Sequence, residues 1–376
     1  MRRHLEIGIL VAAAAAGAEF GLSLAWAFVL GGIGLVLLVE MSSRFGAVTN
    51  QTVVTAMRSR FGFDFCAIPL AAMLLVCLMV LAMELTGCAV ALELATGIQF
   101  RAWGALVAFG VWLVLWTARF KLLERVVATL GLASIVFLVV ALWLGPPWRE
   151  LAHGLVPDLP PENRARWGFL AAVVLGASIS PFLFYFYEGK RRRLTIANMG
   201  FGTILSLGVL VVAALVLPRG VKIESYEQLP ALLEAPLGPW GYRAFIAALG
   251  IGCYGAAAET ALVAARLVAQ ALGWNFAKTE RPRKNARFAL VYTLAIVVSS
   301  IVVLAGVDPI NLTLVAMAGS AVTLPVAVFP FLVLMNDPRF LGDRKNRLGG
   351  NIVVAAIVTL AVVLSVVTIP LELRGG

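Results

Sequence analysis

Charge is scarce in this sequence. Asp, Glu, Lys and Arg make up 13% of its 376 residues, about half the share found in soluble domains. A soluble body of this size needs a charged, mixed surface, so the shortage excludes one. Histidine occurs twice, as His4 and His153, both outside the apolar runs. That excludes a His-based metal site within a membrane. Cysteine occurs four times, as Cys66, Cys77, Cys88 and Cys253, in or beside apolar segments. The first three recur every 11 residues on one helical stripe, about 16 Å apart along a helix, too far to share a metal. They read as small apolar packing residues. No Walker loop, Ser-His-Asp set or CxxC pair is present, which leaves an ATP-driven pump or a soluble-type enzyme without support.

Apolar residues make up 61% of the chain, and the mean hydropathy is +0.95. The pattern is that of an all-α polytopic membrane protein, a single transmembrane domain over residues 1–376. Ten apolar stretches are expected to hold the spans, at about 7–40, 66–98, 103–118, 125–145, 168–187, 199–217, 242–272, 286–306, 312–335 and 351–371. The net charge of +10 would suggest nucleic acid on a soluble chain. Here the cations sit between apolar runs, as the positive-inside bias requires, and no nucleic-acid partner is expected. Alternate loops, at 41–65, 119–125, 188–198, 273–287 and 336–350, hold 19 Lys and Arg, against seven in the others. The richer set is assigned to the cytoplasm. A bacterial inner membrane is the expected location, with the lipid bilayer as partner.

That assignment conflicts with the N-terminus. If 7–40 crosses once, Arg2 and Arg3 lie outside. The stretch is long enough for a short half-helix followed by a full span. The alternatives are a signal peptide cut before Glu19 and an expected first span absent from the chain.

Residues 172–188 read AVVLGASISPFLFYFYE. Gly176, Ser178, Ser180 and Pro181 interrupt this span at mid-membrane, where secondary transporters bind substrate. The stretch resembles the sixth helix of the Nramp divalent-metal transporters, especially a branch with Ser-Pro-Tyr-Leu-Phe. In order along the chain, 16–46 resembles the region of the family's second helix, 81–97 the third, 252–273 the eighth and 320–337 the tenth. The resemblance implies a LeuT-type fold of two inverted five-helix repeats. It also implies proton-linked symport of Mn, Fe or Mg ions by alternating access around 176–181, with the metal as substrate and no cofactor. The chain departs from the family's pattern at several places. The first-helix Asp-Pro-Gly-Asn motif is not found, so that helix is expected to be truncated or missing. Ser180 stands at the family's Met position, Phe182 at its His position, and Leu81 where an acid would precede Glu84.

Acidic residues inside apolar spans are costly and are functional candidates by default. Glu84, Glu259 and Glu19 are the expected proton-pathway or gating residues, and Glu84 matches the family's third-helix acid. The Ala177 carbonyl and the Ser180 hydroxyl are the expected metal ligands, an oxygen-rich set that favours hard cations. Glu259 and Arg266 share a helical face about 10.5 Å apart, so each is expected to pair with another helix. Glu93 reads as interfacial, Asp308 as a helix cap, and Arg191–Arg193 as a topology anchor. Two other functions fit the same pattern: a transport-defective relative with a binding or regulatory role, and a carrier of another small solute using Ser178 and Ser180.

Overall fold

A computed structural model describes residues 6–117, 134–186, 192–274 and 285–373. Its elements follow the apolar runs. They are α1 (Ile7–Phe20), α2 (Ala25–Thr49), α3 (Val53–Phe61), α4 (Phe63–Thr96), α5 (Phe100–Thr117), α6 (Ile135–Trp143), α7 (Trp148–His153) and α8 (Arg164–Ser178). After these come α9 (Arg192–Val216), α10 (Ala231–Leu237), α11 (Pro239–Ala271), α12 (Ala286–Ala305), α13 (Pro309–Asn336), α14 (Pro338–Leu341) and α15 (Leu348–Leu373). Among the described residues, eight helices are long and apolar enough to cross a membrane, and Ile7–Phe20 is a shorter apolar one. The expected span at 125–145 falls partly outside the described residues, as do His4 and Arg191.

The stretch at 7–40 is not one span. Gly21 breaks it with φ at +60°, a left-handed conformation that glycine adopts without a Cβ penalty. The half-helix reading therefore holds. α1 has 14 residues and is about 21 Å long, short of the hydrocarbon thickness. It is apolar all round, the mark of a helix enclosed by others. Ile7 to Ala18 are all buried, against α8, α9, α13 and α4. A signal peptide cut before Glu19 would remove this central helix. Its small residues permit close approach. A Cβ at Gly17 would lie 2.9 Å from the Ala214 backbone nitrogen of α9, the tight crossing that small residues give membrane helices.

The expected span at 168–187 needs a similar correction. α8 stops at Ser178, and Ile179 leaves the helix with φ −115° and ψ 78°. Only a single 3₁₀ turn, Phe184–Phe186, follows before the described chain pauses. Two half-length helices, α1 and α8, thus pack together inside a sheath of full-length ones.

The ends of the bundle separate by loop. At one end Arg58 donates to the Ala271 carbonyl at 3.3 Å, Arg44 reaches Asn346, and Arg60 meets Asp337. This end collects loops of the basic set. At the other end Trp26 N–H bonds the Gly154 carbonyl, Gly220 N–H bonds the Ala18 carbonyl, and Arg101 donates to the Gly306 carbonyl.

Candidate functional site

The start of α1 and the broken end of α8 come together at one residue. A Cβ at Gly8, in the first turn of α1, would lie 2.7 Å from Met317 Sδ of α13. A Cβ at Gly176, in the last turn of α8, would run into the Met317 carbonyl oxygen. At Gly176 the obstacle is backbone, so only glycine allows the approach. The Met83 methyl of α4 comes within 3.0 Å of the same point on Gly8. Met317 thus lies between the start of α1 and the break of α8, with its sulfur toward α1. Ala177 and Ser178 are buried at the end of α8, and Ser178 packs on Gly31 of α2. Ser180 is almost buried just past the break, where its carbonyl accepts the Leu183 N–H at 3.2 Å.

Glu84 lies next to the start of α1. It is wholly buried in α4, and neither carboxyl oxygen has a hydrogen bond among the described residues. The polar groups that act on it are the Cys253 thiol of α11, the Glu6 carboxyl and the Ile7 backbone N–H. Cys253 Sγ would be 2.6 Å from a Cβ on Gly87, one turn along α4 from Glu84. Ile9 and Leu10 donate to the Glu6 carbonyl, and the Ile7 N–H at the start of α1 acts on Glu84. A helix N-terminus stabilises negative charge there. The site therefore offers a buried carboxyl, a second carboxyl at the helix start, a thiol, a thioether and the frayed backbone of two helix ends.

Glu259 and Glu19 belong elsewhere. Glu259 lies six residues past Cys253 on α11, about 9 Å further along the axis toward the end where Arg58 meets Ala271. Arg266 is buried beyond it. Glu19 ends α1 at the opposite side, where Arg166 of α8 grips it. Arg166 Nε and Nη2 donate to its two oxygens at 2.8 and 2.7 Å, and Nη1 donates to Glu372 of α15 at 2.7 Å. This bidentate geometry is the strong form of a charge pair. Lys222 stands 3.6 Å from Glu372. Trp167 Nε1 donates to Ser23 Oγ at 3.3 Å, and its ring packs on Trp26. Glu93 has a structural role: it accepts from the Phe100 N–H and from Tyr226 Oη. Burial, then the Glu93 carboxylate, push the Tyr226 phenol above its ordinary range. Asp308 caps α13 by accepting from the Asn311 N–H at 2.8 Å, and the Thr313 hydroxyl is spent on Pro309 O.

Sequence reasoning missed Glu6, Cys253 and Met317. Glu6 falls one residue before the first apolar run, so it read as outside. Cys253 and Met317 cost nothing in an apolar helix, so no local signal marks them. Among the described residues, no three His, Cys, Asp or Glu side chains are grouped to hold a metal.

A bundle of long helices around two half-length helices, one of them interrupted at Ser178, is the build of a secondary transporter. Solved structures share it. A manganese transporter of Eremococcus coleocola, solved as a mutant, superposes with a TM-score of 0.75 at 17% identity, over 99% of this chain and 84% of its own. The LeuT-fold protein MhsT, in complex with L-phenylalanine, superposes at 0.56 with 15% identity, over 98% of both chains. The LeuT-type fold expected from the sequence is thus present. The model of the Nramp family, described as natural resistance-associated macrophage protein-like, matches residues 5–370. The chain belongs to the Nramp family, whose members are transporters and not enzymes. A divalent metal cation transporter, MntH of Staphylococcus saprophyticus, is 24% identical over 96% of this chain and 88% of its own length.

Proposed function

We propose that the protein moves divalent metal cations across the membrane by alternating access, with the substrate held between the start of α1 and the broken end of α8. The observation that carries this reading is the meeting of both ends at Met317, beside the buried Glu84. The family and the manganese- and divalent-metal-transporting relatives support the same cargo. The Ala177 carbonyl, the Ser180 oxygens and the Met317 thioether are the neutral contacts; Glu84 and Glu6 supply negative charge. Sulfur would bias such a site toward Mn²⁺ or Fe²⁺ over Mg²⁺. Glu84 carries the coupled proton, because it is an acid buried in an apolar span beside this site. Glu259 lies on the exit side, toward the basic end, and Glu19 with Arg166 closes the other end.

The absence of a three-ligand metal group among the described residues favours a second reading, a membrane relative that binds metal weakly and does not transport it. One experiment decides between them. The protein is reconstituted in vesicles, and Mn²⁺ and Mg²⁺ uptake is measured with and without a pH gradient. Saturable Mn²⁺ uptake that rises with an inward proton gradient supports transport. Folded protein that takes up neither ion would overturn it.

A further inference from the structure

A second cavity lies far from the metal site, at the basic end of the bundle. It encloses about 860 Å³ between α13, α15 and α3, and opens widely to the outside. Its inner wall is apolar: Phe329, Leu332 and Val333 of α13, with Ala355 of α15. Phe329 and Val333 stand one turn apart on the outer face of α13, 45% and 48% exposed. In a membrane helix that face meets acyl chains. The mouth carries Arg60 and Arg339. Arg339 comes three residues after α13 ends at Asn336, which places it at the level of the lipid headgroups.

The polar groups at the mouth divide into spent and free. Asn351 donates to Asn336 and Asn336 donates to the Leu332 carbonyl, each at 2.7 Å. Asp337 accepts Arg60 Nε at 2.7 Å and the Arg339 backbone N–H at 3.0 Å, so its charge is held inward. The exposed Arg339 guanidinium acts on Asp337 through its charge, but makes no close ion pair or hydrogen bond among the described residues. Arg60 commits only Nε to Asp337. Arg344, Lys345 and Arg347 follow on the same loop and are exposed.

We infer that this cavity binds an anionic phospholipid of the cytoplasmic leaflet. Its phosphate sits between Arg60 and Arg339, and one acyl chain lies along Phe329, Val333 and Ala355. Charge complementarity selects the headgroup. The apolar wall at hydrocarbon depth selects a lipid over a free phosphate. Basic pockets at the cytoplasmic ends of membrane helices are suited to anionic headgroups, at about 1 kcal/mol per cation near the surface, or roughly fivefold in affinity per Arg.

Native mass spectrometry of the full chain in detergent tests this, with phosphatidylglycerol, phosphatidylcholine and the chain-free headgroup glycerophosphoglycerol as probes. One phosphatidylglycerol should be retained at saturation, at least about fivefold tighter than phosphatidylcholine. Glycerophosphoglycerol should not bind measurably. Arg339→Gln changes an exposed, unpaired side chain, so folding should be kept while phosphatidylglycerol affinity falls about fivefold. Ala355→Trp fills the cavity and should weaken both lipids. Equal retention of the two lipids by the unaltered chain, unchanged phosphatidylglycerol affinity in Arg339→Gln, or binding of the headgroup alone would each overturn the proposal. None of these outcomes bears on metal uptake.

Discussion

Glu19 and Glu84 are the same residue type in neighbouring core helices, and the structure treats them in opposite ways. Glu19 is gripped by Nε and Nη2 of Arg166, whose Nη1 holds Glu372. Glu84 is fully buried with neither oxygen bonded among the described residues. A buried charge that is paired on every side holds helices together. A buried carboxyl without a partner costs stability, and it persists where a changing proton or cation can use it. The Arg166 end of the half-helices is therefore the lock, and the Glu84 end is the proposed working site. The lock also joins elements distant in sequence: α1, α8 and α15 each supply one of its charges.

The comparison breaks first at the lock. Arg166→Met would strand the half-buried Glu19 and leave Glu372 with Lys222 alone, a loss of about 3 kcal/mol, the low end for breaking a buried pair, read as a fall in unfolding temperature in detergent. Arg166→Lys should recover part of it, since a single ammonium cannot bridge both carboxylates bidentately. If Arg166→Met melts like the unaltered chain, the outer cluster does not hold these helices.

Next comes the contact of α8 with Met317. Gly176→Val drives a side chain into the Met317 carbonyl of α13. That backbone cannot step aside as a flexible side chain would, so about 1–3 kcal/mol is expected, together with loss of Mn²⁺ uptake. Uptake at the unaltered rate would mean that α8 and α13 do not need this contact to form the site.

Glu84→Gln sharpens the contrast, because stability and function should part. The swap keeps the shape and removes the exchangeable acid, so the unfolding temperature should hardly move. The response of uptake to a pH gradient should fall by about 5- to 150-fold, the usual range of a coupling between sites. Proton coupling that survives the change would remove Glu84 from the pathway.

The fold was largely legible in the sequence, because burial in lipid writes itself as long apolar runs and the ordered motifs follow the family. Gly176, Ser178 and Pro181 marked the break in α8. The break after α1 was visible only as an overlong run at 7–40; the turn at Gly21 shows where it falls. The site was less legible. Glu84 stood out because an acid in an apolar helix is costly. Arg166 did not, since it opens its span and read as a loop cation until α1 brought Glu19 to it. Cys253 and Met317 carry no charge and leave no trace in hydropathy. Their neighbourhood depends on helix crossings, set by glycines at positions 8, 87 and 176 whose partners lie far away in sequence.

The smallest effect expected is at the rim, where the contrast between paired and unpaired acids can be titrated in water. The Arg339 backbone N–H, then the Arg60 guanidinium, hold the Asp337 carboxyl below its ordinary value of 3.8. A carboxyl with a depressed folded value adds stability that is fully present above 3.8 and is lost as pH falls through the lower value. Unfolding temperatures of the unaltered chain and of Asp337→Asn should therefore differ by a constant amount at neutral pH and draw together below about pH 3.8. A gap that stays the same down to the lowest pH at which the protein folds would show that Asp337 acts through its shape and not its charge. The rim would then offer no paired counterpart to Glu84, and Arg166 alone would carry the comparison.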